Sequence, residues 1–174
     1  MSHAPYNPKA IANYFLERGA DEGRALDPIK LQKLVYNAHG WYMAMHGEPL
    51  IDETVEAWPY GPVVPTLYHE FKRFGAKPIR SKAIEFHGSE LTHPHVDRTD
   101  EQTRAVLERV WKTHRDLSGM QLSHLSHRPD SPWEKTWKKA QAAGKQRGVD
   151  IPDELIEIHF REKALRNRQR VTAP

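Results

Sequence analysis

Histidine is the residue type with the most evident chemical potential in this sequence, because imidazole nitrogens bind metal ions and transfer protons. The 174 residues include 11 histidines but no cysteine, which excludes a thiolate zinc site. Two pairs have a spacing that suits shared metal ligands, His93 with His95 and His124 with His127. No dedicated motif supplies the third ligand that zinc requires. We therefore expect no metal and no cofactor, with a metal-dependent enzyme that uses histidine ligands as the alternative hypothesis.

Catalytic motifs are also absent from the sequence. It contains no GxSxG, no GxxxxGK and no GxGxxG, and without cysteine it has no thiol nucleophile. Carboxylates such as Asp52, Glu53, Glu56 and Glu70 are numerous, but acids on an amphipathic surface are usually solvated. We therefore expect that the protein is not an enzyme and has no catalytic residues.

The composition predicts a cytoplasmic protein without a membrane partner. Hydrophobic residues make up 38% of the chain, and no apolar run approaches the roughly 18 residues of a membrane-spanning helix. Residues 1–9 lack the apolar core of a signal peptide. The absence of cysteine agrees with a reducing compartment.

Basic charge is concentrated at the C-terminus. The sequence pI is about 9.1, which invites a nucleic-acid hypothesis. Five basic residues and one acid in residues 161–170 give +4, so the remaining residues carry −1 of the total charge of +3. A near-neutral body offers no net basic surface to nucleic acid. We expect a basic flexible tail at residues 161–174 and no nucleic-acid partner, with a nucleic-acid-binding regulator as the second alternative.

Prolines mark the starts of several helices, because Pro at the first helical position loses no backbone hydrogen bond. In three pairs the preceding side chain can also cap the helix: Asn7-Pro8, Asp27-Pro28 and Ser131-Pro132. Three further spacings predict capping boxes: Thr99 with Gln102, Ser118 with Gln121, and Ser131 with Glu134.

The hydrophobic pattern predicts a mainly α fold of the α+β class, with six or seven helices in one compact domain at residues 1–160. Apolar residues recur at spacings of three and four from Pro28 to His46, which indicates a long central helix. Residues 50–58 and 76–97 lack this period and suit the short strands of a small sheet. Two prolines and a glycine at residues 58–62 predict an irregular turn. The last helix is expected to lose its apolar pattern after Phe160.

Aromatic residues are dense around this turn. We expect Trp41 and Trp58 to lie in a core cluster that fixes the turn between two helices. Tyr60 and Tyr68 are better candidates for a protein interface, because tyrosine combines a rigid apolar face with a hydroxyl group. Glu56 is either an anchor for a partner or a cap or salt bridge within the turn.

Three segments together carry a more specific signal. They are LQKLVYNAHGW at residues 31–41, EAWPYGPVVPTLYHEF at residues 56–71 and LSHLSHRPDSPW at residues 122–133. In this order they resemble the Panacea antitoxin domain family of SocA-like and GepA-like proteins, over about residues 7–160. The resemblance implies an antitoxin that binds and neutralises a cognate protein toxin, and in the SocA branch a proteolytic adaptor that delivers the toxin to the ClpXP protease.

The resemblance also predicts which residues maintain the structure. We expect His127 to bridge backbone groups at the turn before Pro132. The motif residues with an expected structural role are Leu31, Lys33, Leu34, Tyr36, Trp41, Trp58, Gly61, Pro62, His127, Pro132 and Trp133. The expected partner-binding residues are Glu56, Tyr60 and Tyr68.

Overall fold

The computed structural model describes residues 3–145 and 148–172 of the chain. The helices within these residues are α1 (Pro8–Asp21), α2 (Pro28–His46), α3 (Pro65–Phe71), α4 (Glu101–His114), α5 (Gly119–Ser126), α6 (Pro132–Ala142) and α7 (Asp153–Thr172), with a 3₁₀ turn at Lys72–Phe74. The strands are β1 (Glu56–Trp58), β2 (Gly61–Val63), β3 (Glu85–His87), β4 (Glu90–Thr92) and β5 (Val149–Asp150). The expected mainly α architecture with a small sheet is confirmed.

The local capping signals position most helix starts. The side chains of Asn7, Asp27 and Ser131 accept backbone N–H groups of α1, α2 and α6, as expected from the three proline pairs. The Ser118–Gln121 capping box is present. The Thr99–Gln102 box is wrong, because Asp100 is the cap of α4 and accepts from Thr103 N. In α6 the Glu134 carboxylate accepts from Asp130 N rather than from the cap residue.

Helix α2 is the centre of the molecule, and α1, α4, α5 and α7 pack around it. Its buried residues lie on several faces, which explains why the helix is apolar beyond a single stripe. Gly40 allows a close approach of α7, since a Cβ at this position would overlap the ring of Phe160. The Phe160 ring then meets Tyr36 and Trp41 edge to face, with centroid distances of 5.8 and 5.2 Å.

The turn that the sequence predicted to be irregular is a β-hairpin, which we call the first hairpin (residues 56–63). Strand β1 pairs antiparallel with β2, with Trp58 opposite Gly61, and on its other side with β5. Pro62 therefore lies within a strand. The strand tolerates it because β2 is at the edge of the sheet, where no second ladder needs the missing N–H.

A second hairpin (residues 85–92) is formed by β3 and β4. It contacts α1 at its base, where the Glu85 carboxylate accepts from Asn7 Nδ2 at 3.0 Å and pairs with Lys9 at 3.2 Å. Its strands present Phe86 and Leu91 to solvent.

The C-terminal segment differs from the expectation of a tail that begins after Phe160. Helix α7 continues without a break to Thr172. Ion pairs four residues apart, Arg161 with Glu157 at 2.6 Å and Arg166 with Glu162 at 4.0 Å, support the extension. Residues 173–174 of the predicted tail lie outside the described residues, and the domain boundary at residue 160 stays a prediction.

No helix in the described part of the chain is long and apolar enough to cross a membrane.

Candidate functional site

A surface groove lies between the start of α2, the first hairpin and α3. We call it the α2–α3 groove; its volume is about 320 Å³. Most of its wall is apolar, with Ile29, Trp58, Val63, Leu67 and Phe71 among the lining residues. The described residues that line it include two cations, Lys33 and Lys72, and no Asp or Glu.

The first hairpin forms one wall of this groove. Side chains of α2, α5 and α6 donate hydrogen bonds to its backbone. Lys33 Nζ donates to Pro62 O at 2.9 Å, and Ser123 Oγ donates to Tyr60 O at 2.9 Å. Trp133 Nε1 donates to Trp58 O at 2.7 Å. Gln32 pairs with both backbone groups of Val64, donating to its O at 3.0 Å and accepting from its N at 2.9 Å. Side-chain donors of α2, α5 and α6 thus bind the hairpin backbone at Trp58, Tyr60 and Pro62.

Lys33 is an uncommon support, because its ammonium group is almost completely buried. Burial lowers the pKa of Lys33 to about 7, since desolvation disfavours the charged form. Gly61 lies directly over it with φ of +111°, and a Cβ at this position would be 2.7 Å from Lys33 Nζ and 2.9 Å from Ser126 Oγ. Only glycine adopts this backbone conformation without strain.

His127 does not bridge backbone groups at the turn before Pro132 in this structure. Its ring packs on Trp133 with a centroid distance of 4.1 Å, and its buried Nε2 has no partner within hydrogen-bond geometry, although the nearby backbone carbonyl of Tyr60 opposes the lowering of its pKa. Burial, followed by the positive charge of Lys33, lowers the pKa of His127. The ring therefore stays neutral near pH 7 and fills the space next to Gly61.

Of the three expected partner-binding residues, Tyr60 and Tyr68 line the groove, whereas Glu56 does not. Tyr60 is 76% exposed at the hairpin turn, and Tyr68 on α3 is 37% exposed. The Tyr68 ring packs on Trp58 at a centroid distance of 4.7 Å. Glu56 accepts from Trp58 Nε1 at 2.7 Å, which is a contact within the hairpin and orients the indole along the groove wall.

The other motif residues are distributed between the core and the groove. Leu31, Leu34 and Tyr36 are buried on α2, and Trp133 is buried on α6, whose first residue is Pro132. Trp41 is partly buried and packs on the core. Trp58 differs from the expected core position, because it is only partly buried and lines the groove.

The histidine pairs do not form a ligand set. His93 Nδ1 lies 3.2 Å from Ala83 O, while His95 and His124 are exposed. No cluster of three or more His, Asp or Glu suited to a metal ion occurs within residues 3–145 and 148–172.

Sequence reasoning missed several residues that build the site. Gln32, Ser123 and Lys72 had no assigned role, although Gln32 and Lys33 stand together between the apolar residues Leu31 and Leu34, which was a usable signal. The contact of Ser123 with Tyr60 joins residues 63 positions apart and has no local signature.

Comparison with known proteins identifies the family of this chain. A model of the SocA-like antitoxin Panacea domain matches residues 31–134. Antitoxin SocA of Caulobacter vibrioides (strain NA1000 / CB15N) is 33% identical over 156 residues, which cover 88% of this chain and 81% of that protein. No solved structure matches. The chain therefore belongs to the family of SocA-like antitoxins with a Panacea domain, and it is an antitoxin of a toxin–antitoxin system.

Proposed function

We propose that this antitoxin neutralises its cognate protein toxin by direct contact, with the α2–α3 groove as the binding surface, and that it acts by binding rather than by catalysis. The observation that carries the proposal is the first hairpin, which presents Tyr60 on a backbone bound by three side chains, while Gln32 binds Val64 directly after it. A rigid aromatic anchor loses little conformational entropy on binding. Tyrosine and tryptophan are also the residues that most often dominate binding energy.

The charge of the groove indicates which toxin segment it would accept. Its wall is apolar and its lining cations, Lys33 and Lys72, have no acid beside them in the lining. A toxin segment with one or two large apolar side chains and an acidic residue would match both properties. Lys72 is the exposed cation of the two and would meet the acid.

The first experiment tests the antitoxin function itself. The product of the neighbouring gene should stop growth when it is expressed alone, and the two proteins should purify together when they are co-expressed. A harmless neighbouring product that does not bind would refute direct neutralisation of that product.

The second experiment tests the groove. Tyr60→Ala and Tyr68→Ala should each weaken toxin binding by roughly 1 to 3 kcal/mol while the melting temperature changes little. Phe86→Ala on the second hairpin is the matched control, because Phe86 is also an exposed aromatic residue at 63% exposure. If Phe86→Ala weakens binding as much as Tyr60→Ala, the groove is not the interface.

We further propose that the protein is a proteolytic adaptor that delivers the toxin to ClpXP. An adaptor contacts its cargo and the protease at once, so the second contact needs a surface away from the groove. The end of α7 offers exposed Arg166 and Arg170 outside the groove. Deletion of residues 165–174 should leave the toxin complex intact and slow toxin degradation in a reconstituted ClpXP assay. Unchanged degradation would contradict a role of this segment in protease docking.

A further inference from the structure

A second, smaller pocket lies between α2, α4, α5 and α7, and it shares no described lining residue with the α2–α3 groove. We call it the α7 pocket. Its volume is about 40 Å³. On the same measure one water molecule needs roughly 10–15 Å³, so the pocket has room for a small polyatomic group. Polar side chains face it from four helices and the cap of α6: Tyr36, Asn37, His114, Ser126, Ser131, His159 and Lys163.

The charge of the α7 pocket is entirely positive or neutral. No carboxylate is among its lining residues in the described part of the chain. Lys163 is the lysine that lines the pocket, and its Nζ lies 5.7 Å from the ring centroid of Trp41 and 5.6 Å from that of Phe160. Within the described residues no carboxylate comes within 4.0 Å of this ammonium group. Burial and the nearby charges of Arg128 and Arg166 lower the pKa of Lys163.

Burial is the main cause that lowers the pKa of both pocket histidines. For His159 the positive charges of Lys163 and Arg166 add to the shift and the Glu162 carboxylate opposes it, whereas for His114 the hydrogen bond to Val110 O opposes it. Both histidines are therefore neutral near pH 7, and Lys163 is the one cation among the described lining residues. Burying its charge costs free energy, and an anion next to it would offset that cost.

Tyr36 adds a neutral donor at the pocket. It is 5% exposed, and burial raises the pKa of its hydroxyl, so the group remains protonated and able to donate. No hydrogen bond to this hydroxyl is present among the described residues. A phenol next to a lysine and an imidazole is a donor set that suits the oxygens of a phosphate or a carboxylate.

We propose that the α7 pocket binds an oxyanion, a phosphate or carboxylate group, through Lys163, His159 and the Tyr36 hydroxyl. The site is separate from the α2–α3 groove, and it does not depend on toxin binding. Two kinds of ligand carry such an oxyanion, a free phosphate compound and a compound with a carboxylate group.

Titration of the full-length protein with inorganic phosphate tests the proposal, with acetate as the second arm and sodium chloride added to hold the ionic strength constant. The expected result is a saturable rise of the melting temperature with phosphate or with acetate. The anion that acts identifies the source. No rise beyond that of chloride with either anion would overturn the proposal.

Two variants locate the effect. Lys163→Met keeps the alkyl contacts with Trp41 and Phe160, and Tyr36→Phe removes only the hydroxyl. Lys163→Met should weaken anion affinity about tenfold or more, as the loss of a charged hydrogen bond does. Lys139→Met, an exposed lysine on α6, is the matched control and should bind as the wild type does. Equal weakening by Lys139→Met would show non-specific binding and overturn the site.

A spectroscopic readout keeps the test independent of variant stability. In proton NMR of the wild type, phosphate or acetate should shift the imidazole signals of His114 and His159 and leave that of exposed His69 unchanged. Equal shifts of all three signals would contradict binding in the α7 pocket.

Discussion

The two hairpins are built from the same parts, yet the protein holds them in different ways. Each has two three-residue strands, a glycine with positive φ near the turn and an exposed aromatic residue, Tyr60 at 76% and Phe86 at 63% exposure. The first hairpin is held by side chains of α2, α5 and α6 that bind its backbone along its length. The second is held mainly at its base, by Asn7 and Lys9 of the α1 region.

The difference shows that exposure alone does not identify a binding surface. When an aromatic side chain on a fixed backbone binds a partner, only the side chain loses conformational entropy. On a loosely held hairpin the backbone loses conformational entropy as well. The first hairpin also borders an apolar groove, which gives a partner surface to bury. The comparison therefore favours the first hairpin as the interface, and each of the following substitutions either removes or measures its fixation.

The largest expected effect comes from substitution of Gly61, the glycine of the first hairpin. Gly61→Ala should lower the free energy of unfolding by about 3 kcal/mol, because φ of +111° is a glycine conformation and the new Cβ would meet Lys33 Nζ and Ser126 Oγ. Gly88→Ala in the second hairpin is the matched control, with φ of +64° and open space around its Cβ position. It should cost about 1 kcal/mol.

Urea denaturation of both glycine variants checks this difference. Equal losses would mean that the first hairpin shifts freely to accept a side chain, and that its fixation by Lys33 and Ser123 is weak.

The next effect concerns the buried lysine and pH. The unfolded chain keeps Lys33 protonated up to its ordinary pKa of 10.5, whereas the folded chain loses this proton near pH 7. Between these values the unfolded state binds more protons, so stability rises with pH. Relative to Lys33→Met, the wild type should gain about 2 kcal/mol between pH 7 and pH 9.

Denaturation of the wild type and of Lys33→Met at both pH values measures this gain, and titrating groups that do not interact with Lys33 cancel in the difference. Parallel stability profiles would show that Lys33 keeps an ordinary pKa, which would require water or an anion at the ammonium group.

Features with local causes were predictable from the sequence. The starts of α1, α2 and α6 follow from a cap residue directly followed by a proline, and the long α2 follows from its apolar spacing. The resemblance of three segments was sufficient to identify the family, which the comparisons confirm.

Features with tertiary causes were not predictable. The prolines at residues 59 and 62 concealed the first hairpin, because a strand with proline is stable only at a sheet edge, and edges are set by the whole sheet. The extension of α7 past Phe160 has no apolar stripe and is supported by ion pairs along the helix. The groove joins α2, a hairpin and α3, so its lining became visible only in the fold. Tyr60 and Tyr68 were chosen by residue type, and their role in binding stays a prediction.

The smallest expected effect compares two hydroxyl groups that each donate to a hairpin carbonyl. Ser123 Oγ donates to Tyr60 O at 2.9 Å from a buried position, and Thr92 Oγ1 donates to Glu85 O at 3.4 Å in the second hairpin. Ser123→Ala should cost about 1 kcal/mol of stability, because it removes a buried hydrogen bond and leaves the carbonyl of Tyr60 with one partner fewer. Thr92→Val should cost less than about 0.5 kcal/mol.

Ser123→Ala and Thr92→Val also separate the effect of hairpin support on toxin binding from its effect on stability. If the first hairpin binds the toxin in its fixed form, Ser123→Ala should also raise the toxin dissociation constant, although Ser123 lies beneath the hairpin and not in the groove lining. Without the hydrogen bond from Ser123 the hairpin backbone is less ordered in the free protein, so toxin binding must also order the backbone, which lowers the affinity. Thr92→Val should leave toxin affinity unchanged. Calorimetric titration of toxin into each variant gives both values, and a Ser123→Ala protein that binds as tightly as the wild type would show that Tyr60 reaches its binding position without support from α5.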